Sequence, residues 1–198
     1  MLERRKKALV EALSDDDQSV RESAAAALEN LESMQGLDEI ANVLKSGSRE
    51  QQIRAIYALE QVPSPKVFSP LVAALNAKDA DVRGAALQVL GRKQNVKVLK
   101  YMVRHLKDPH PAVRVHAAEA LGNFSDCRLT PFLTALLQES DEELVKSAVR
   151  SLAAIADPAA EADLLTLLKD RRPSVRSLAA KALGVLHFDE ANDPAPSC

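Results

Sequence analysis

Leucine and alanine recur along this chain at a fixed interval. Leu28, Leu59, Leu90, Leu121, Leu152 and Leu183 form one column at steps of 31 residues, and Ala24, Ala55, Ala86, Ala117, Ala148 and Ala179 form a second column four residues earlier. A third column, in the other half of the unit, is Leu13, Leu44, Leu75, Leu106, Leu137 and Leu168. No insertion interrupts any of them, so the period marks a structural repeat rather than a compositional bias. Each unit carries two amphipathic helical patterns with apolar residues three or four apart. Leu99, Met102, Val103 and Leu106 illustrate the first, helix A; Val113, Ala117, Ala118 and Leu121 illustrate the second, helix B. The alanine column is small where A and B approach most closely, and a leucine there would cost about 1–3 kcal/mol by overpacking.

The helix starts keep the same period. Ser33, Ser64, Asn95, Asp126 and Asp157 are N-cap types before helix A, with Pro65 and Pro158 following at the first helical position. Before helix B stand Asp17, Ser48, Asp79 and Asp141, while Pro111 and Pro173 mark the first turn in the other two units. Pro70 falls several residues inside the third helix A, where it is expected to remove a backbone bond and kink the helix.

A lone helical hairpin cannot bury its apolar face, so the units must stack. The expected fold is all-α: an alpha-alpha superhelix, or solenoid, of six two-helix repeats at 1–31, 32–62, 63–93, 94–124, 125–155 and 156–186, followed by a polar tail at 187–198 expected to be disordered. Composition agrees with this. The chain is 46% hydrophobic but only 3% aromatic, as thin layers filled by Ala and Leu require.

The run Asp108-Pro109-His110-Pro111-Ala112-Val113-Arg114-Val115-His116-Ala117-Ala118-Glu119-Ala120-Leu121-Gly122 resembles a HEAT repeat of the short type found in phycobilisome lyases. The resemblance covers almost the whole chain and implies the fold, with protein binding along the curved inner surface as the shared role and lyase activity in a minority of members. Two units depart from it. Gln51-Gln52 and Leu144-Val145 stand where Val-Arg is expected, with Arg54 and Lys146 displaced along the helix.

The recurrent arginine, Arg21, Arg83, Arg114 and Arg176, reads either as a basic ladder or as a structural device, with Asp17 and Asp79 at same-helix pairing distance from Arg21 and Arg83. The structural reading is preferred. Helix-B positions outside the apolar columns should line the inner face: Arg54, Tyr57 and Gln61; Ala85, Gln88 and Arg92; His116, Glu119 and Asn123; Ser147, Arg150 and Ala154. Arg54, Tyr57, Gln61, Gln88, Arg92, His116, Glu119, Asn123 and Arg150 are the candidate protein-binding groove. They mix charge, amide and aromatic groups, with Tyr57 and Arg92 of the types that anchor interfaces.

Other chemistry finds little support. His105, His110, His116 and His187 are followed by Leu, Pro, Ala and Phe, so the His-Glu dyads of HEAT-type iron enzymes are absent, and neither a metal nor another cofactor is expected. No nucleophile elbow, Walker loop or dinucleotide fingerprint occurs, and no catalytic residues are assigned. The formal net charge of -2 and the absence of Trp argue against nucleic acid. No apolar run is long enough to span a bilayer, and the basic N-terminus lacks a signal-peptide core. Cys127 and Cys198 suggest neither a disulfide framework nor a zinc site, which favours the cytoplasm. In the sixth unit Leu178 and Val185 occupy positions that are polar or small elsewhere. That end should be covered by the tail through Phe188, by a partner, or by a second copy of the chain as a homodimer.

The sequence therefore reads as a non-catalytic interaction module or assembly scaffold binding a protein or peptide on the helix-B face. The alternatives are a phycobilisome-lyase-like subunit handling a tetrapyrrole chromophore and a weak nucleic-acid-binding HEAT-like protein.

Overall fold

A computed structural model describes residues 2–186, with the side chains of residues 2, 30 and 32–35 outside the description. The tail at 187–198, with the expectation of disorder and the placement of His187 and Phe188, lies outside the described residues. Those that are described contain helices and turns and no strand. The chain divides into two compact units, residues 1–55 and residues 56 onward.

In the first unit α1 (Leu2–Ala12) packs on α2 (Gln18–Ser46). The side chain of Asp17 accepts from the backbone N–H of Ser19 and starts α2 as expected. No helix starts at Ser33: α2 runs through residues 30–35 without a break, joining two segments read from the sequence as separate helices. The physical reason lies in the residues themselves. Leu31, Glu32, Met34 and Gln35 are good helix formers, and no proline follows Ser33 as Pro65 follows Ser64. The next helix, α3 (Arg49–Gln61), spans the division between the units. It opens with a capping box, in which Gln51 N–H donates to Ser48 Oγ at 3.3 Å and Ser48 N–H donates to Gln51 Oε1 at 2.8 Å.

The second unit alternates short A helices with longer B helices: α4 (Phe68–Ala74), α5 (Ala80–Lys93), α6 (Leu99–Met102), α7 (Pro111–Gly122), α8 (Thr130–Thr134), α9 (Glu142–Ile155), α10 (Glu161–Leu167) and α11 (Pro173–Leu183). Each A helix enters through one 3₁₀ turn, and in each case the cap side chain of Ser64, Asn95, Asp126 or Asp157 accepts from the N–H two residues on. Pro70 is thereby displaced from the role expected of it. It is the third residue of α4, after the 3₁₀ turn Pro65–Val67, so its missing N–H falls in a first turn that needs no intrahelical donor.

Successive B helices pack side by side, α5 on α7, α7 on α9 and α9 on α11. The leucine column closes the core, with Leu59, Leu90, Leu121 and Leu152 fully buried, and Ala86, Ala117, Ala148 and Ala179 sit equally deep. Toward the ends the third column loosens: Leu75, Leu106 and Leu137 are buried, whereas Leu13 and Leu168 are exposed.

Two B helices stop on left-handed residues that are not glycine, Gln94 (φ 50°) and Ala156 (φ 56°). Gln94 gains a compensating bond, its Nε2 donating to Asn123 O at 2.5 Å. Ala156 has only its backbone cap to Leu152 O. Ala156→Gly removes the Cβ penalty of this conformation and is expected to raise stability by about 0.5–1 kcal/mol in a denaturant melt, with a smaller gain for Gln94→Gly.

Candidate protein-interaction face

The repeat places equivalent helix-B positions one above another, and several candidate side chains meet because of it. Tyr57 Oη donates to Gln88 Oε1 at 2.9 Å, a step of one repeat from α3 to α5. Gln88 Nε2 lies 3.3 Å from Nδ1 of His116 on α7. Within α7 the same Nδ1 is 3.6 Å from Glu119 Oε2, and Ser147 Oγ on α9 donates to Glu119 Oε1 at 3.3 Å. A row of neighbouring polar side chains therefore crosses four helices, in which His116 Nδ1 serves either Gln88 or Glu119, according to its protonation, and not both.

Arg92 builds the end of this run at Tyr57. Its guanidinium lies 5.8 Å from the Tyr57 ring centroid and donates twice to Glu60, including Nη2 to Oε2 at 2.8 Å. These hydrogen bonds hold the Glu60 carboxyl below the usual carboxylate range and raise the Arg92 guanidinium further. Tyr57 remains 40% exposed.

Not every candidate joins the run. Arg54 pairs with Glu50 one turn back on its own helix. Gln61, Asn123 and Arg150 are exposed, and Asn123 takes part through its backbone oxygen by accepting from Gln94. Ala85 and Ser147, placed on the inner strip by sequence position, are buried between B helices. At this position, two residues after the arginine column, Ala85 and Ser147 are withdrawn from solvent whereas Arg54 and His116 are not, so the face is narrower than expected at α5 and α9.

Two contributors were not among the candidates. Glu60 was missed because its partner Arg92 lies 32 residues away, one more than the period. Gly84 makes room for His116: a Cβ there would come within 2.8 Å of His116 Cδ2. A glycine in the middle of an otherwise strong helix former, α5, was the available signal.

The arginine column is occupied internally. Arg21 Nη1 donates to the backbone oxygens of Asp15 and Asp16, Arg83 to those of Ala77 and Lys78, Arg114 to those of Asp108 and Pro109, and Arg176 to those of Asp170 and Arg171. Each arginine thus closes the turn five and six residues before it. Arg83 is held by more than the expected same-helix Asp79, whose charge also acts on it: it forms a two-pronged pair with Asp108 of the next repeat, Nε to Oδ2 at 2.8 Å and Nη2 to Oδ1 at 2.7 Å. Arg114 likewise reaches Asp141 of the following repeat at 3.7 Å.

The described histidines have structural partners. Both ring nitrogens of His105 face backbone oxygens, Nδ1 that of Tyr101 at 3.0 Å and Nε2 that of Leu75 at 2.9 Å, while His110 is the N-cap residue of α7. Among the described residues no group of three or more His, Cys, Asp or Glu side chains has metal-binding placement, and no helix is long and apolar enough to cross a membrane.

Comparison with known proteins agrees with this architecture. A family model of HEAT repeats matches residues 7–86, 68–153 and 130–195. Among solved structures, the complex of CpcE and CpcF of phycocyanin lyase from Nostoc sp. is similar at 22% identity and a TM-score of 0.65, over 74% of this chain and 63% of that one. The Escherichia coli protein YibA is similar at 19% identity and a TM-score of 0.61, over 92% and 72%. A designed armadillo repeat protein in complex with the peptide (KR)4 is similar at 22% identity and a TM-score of 0.56, over 90% and 98%. No curated protein matches the chain by sequence. Fold, internal repeat and family model together place this chain in the HEAT-repeat family.

Proposed function

We propose that the chain is a non-catalytic interaction module that takes a protein or peptide segment across the helix-B face of α3, α5, α7 and α9. The observation that carries this reading is the run Tyr57, Gln88, His116, Glu119 and Ser147, bordered by exposed Asn123 and Arg150. Its side chains are already held by one another, so a ligand meets an ordered surface and little side-chain entropy is lost on binding. An aromatic beside an arginine supplies the anchor, and amides supply directional contacts. A repeat neighbour holding a peptide gives the reading a parallel at the level of fold.

Affinity purification with mass spectrometry, on wild type and on Tyr57→Ala with Arg92→Glu, tests it. Partners enriched with wild type should fall by about tenfold or more with the double variant. Undiminished recovery would move the binding surface elsewhere.

The likeness to phycocyanin lyase keeps one other reading in view, a subunit that handles a tetrapyrrole. Titration with a free bilin is expected to leave its absorbance spectrum unchanged. A saturable spectral shift would replace the scaffold reading. A homodimer through the C-terminal repeat is supported by Leu165 and Val185, each about half exposed. Sedimentation should then show a dimer that Leu178→Glu converts to monomer, and a monomer for both proteins would remove this part of the reading.

A further inference from the structure

The helix-A side of the second unit carries an apolar cleft that the repeat pattern does not call for. Val96, Leu99 and Val103 face Leu129 and Phe132 of the next repeat across a cavity of about 440 Å³. Val96 is 57% exposed and Phe132 48%. Phe132 occupies the register that other repeats fill with Ala8, Glu39, Pro70, Tyr101 and Asp163, so stacking does not demand an aromatic there. Single exposed apolar residues are ordinary; two that flank one apolar cavity mark a patch.

The rim of the cleft is cationic. Lys97 and Lys100 are three residues apart on its edge, and Lys100 Nζ lies 4.9 Å from the Tyr101 ring centroid, against the helix surface. Among the described residues no carboxylate pairs with either lysine. Arg128, also on the rim, is already neutralised, its Nε and Nη2 donating to the two carboxylate oxygens of Asp126 at 2.9 and 2.6 Å. The uncompensated charge at this site is therefore positive.

We propose that this cleft is a second docking site, for a partner segment in which a bulky apolar side chain is flanked by carboxylates. The apolar group enters between Val96, Val103 and Phe132, and the carboxylates meet Lys97 and Lys100. The volume lies near the lower end of the 300–1,000 Å³ common for ligand pockets and suits one or two side chains of an extended segment. This site is separate from the helix-B face and stands or falls without it.

The probe is a fluorescein-labelled peptide, Glu-Asp-Phe-Leu-Asp-Glu, titrated with the full chain and read by fluorescence anisotropy. Saturable binding is expected, weakened about tenfold or more by Phe132→Ser and by Lys97→Glu with Lys100→Glu, and unchanged by Tyr57→Ala. Raising salt to about 0.5 M should weaken it severalfold by screening the lysines. A peptide with Lys in place of every acidic residue should bind about tenfold less tightly. Circular dichroism checks that the variants fold, and the lysine pair, being on the surface, keeps the test valid should Phe132→Ser disturb packing. Absence of saturable binding, indifference to the lysine pair, or equal binding of the basic peptide would overturn the proposal.

Discussion

Asp108→Ala is expected to destabilise the array by about 3–5 kcal/mol, the usual result of removing one partner of a buried ion pair. The Asp108 side chain is 5% exposed and that of Arg83 12%, so the substitution strands a guanidinium that water cannot reach freely. The pair also joins two repeats, because Arg83 lies on α5 and Asp108 in the turn before α7. Burial by itself would raise the Asp108 carboxyl, but the hydrogen bonds from Arg83 and from the His110 N–H, with the charges of Arg83 and His105, outweigh it and hold the group below its ordinary value. A carboxyl depressed in the folded state stabilises above its unfolded pKa of about 4, and that stability is lost as pH falls through the folded pKa. Asp170, lowered to about 2 mainly by the hydrogen bonds of Arg172, works in the same direction. Wild-type stability should therefore decline from about pH 4 toward pH 2, and Asp108→Ala should be both less stable at neutral pH and less sensitive to acid. Urea melts of both proteins across pH 2–7 check this. Parallel acid profiles would show that Asp108 is not held as described.

Gly122→Ala is the second large effect, and its sign is not the one helix propensity suggests. Alanine in place of glycine favours a helix by about 1 kcal/mol. Here a Cβ would come within 2.8 Å of Ser151 Cα and closer still to its Oγ, on the neighbouring helix α9. Backbone must move. Ser151 Oγ also donates to Ala118 O at 2.8 Å, a fully buried bond that the shift would break. Overpacking and the lost bond together exceed the propensity gain, for a net loss of about 2 kcal/mol. Gly91 repeats the arrangement one repeat earlier, where a Cβ would lie 2.8 Å from Ala120 Cβ and 2.9 Å from its Cα. Denaturation curves of Gly122→Ala against wild type decide the sign, and a stabilised variant would mean that α7 and α9 are less tightly apposed than described.

Local features of this chain are legible in its sequence, and contacts between repeats are less so. Asp79 and Asp141 were legible as caps because capping is local, and the leucine column was legible because burial follows a fixed period. Ser33 failed for a related reason: a cap residue signals a helix start only when its neighbours cannot simply continue a helix, and here they can. Contacts between repeats were harder. Arg83 with Asp108 and Arg92 with Glu60 are 25 and 32 residues apart, and neither separation equals the period, so no column displays them. Tyr57 with Gln88 is 31 apart and stood among the candidates from the start. Ala85 and Ser147 lie at the same register as the exposed Arg54, and their burial follows from their small side chains sitting below the neighbouring surface, which register alone does not state.

The central claim is that recognition takes place on the helix-B face. Hydrogen–deuterium exchange of the full chain, with and without a partner captured by wild type, locates the contact directly. Protection is expected in the segments carrying Tyr57, Gln88, Arg92, His116 and Glu119. Protection confined to the A helices, with those segments unchanged, would contradict it.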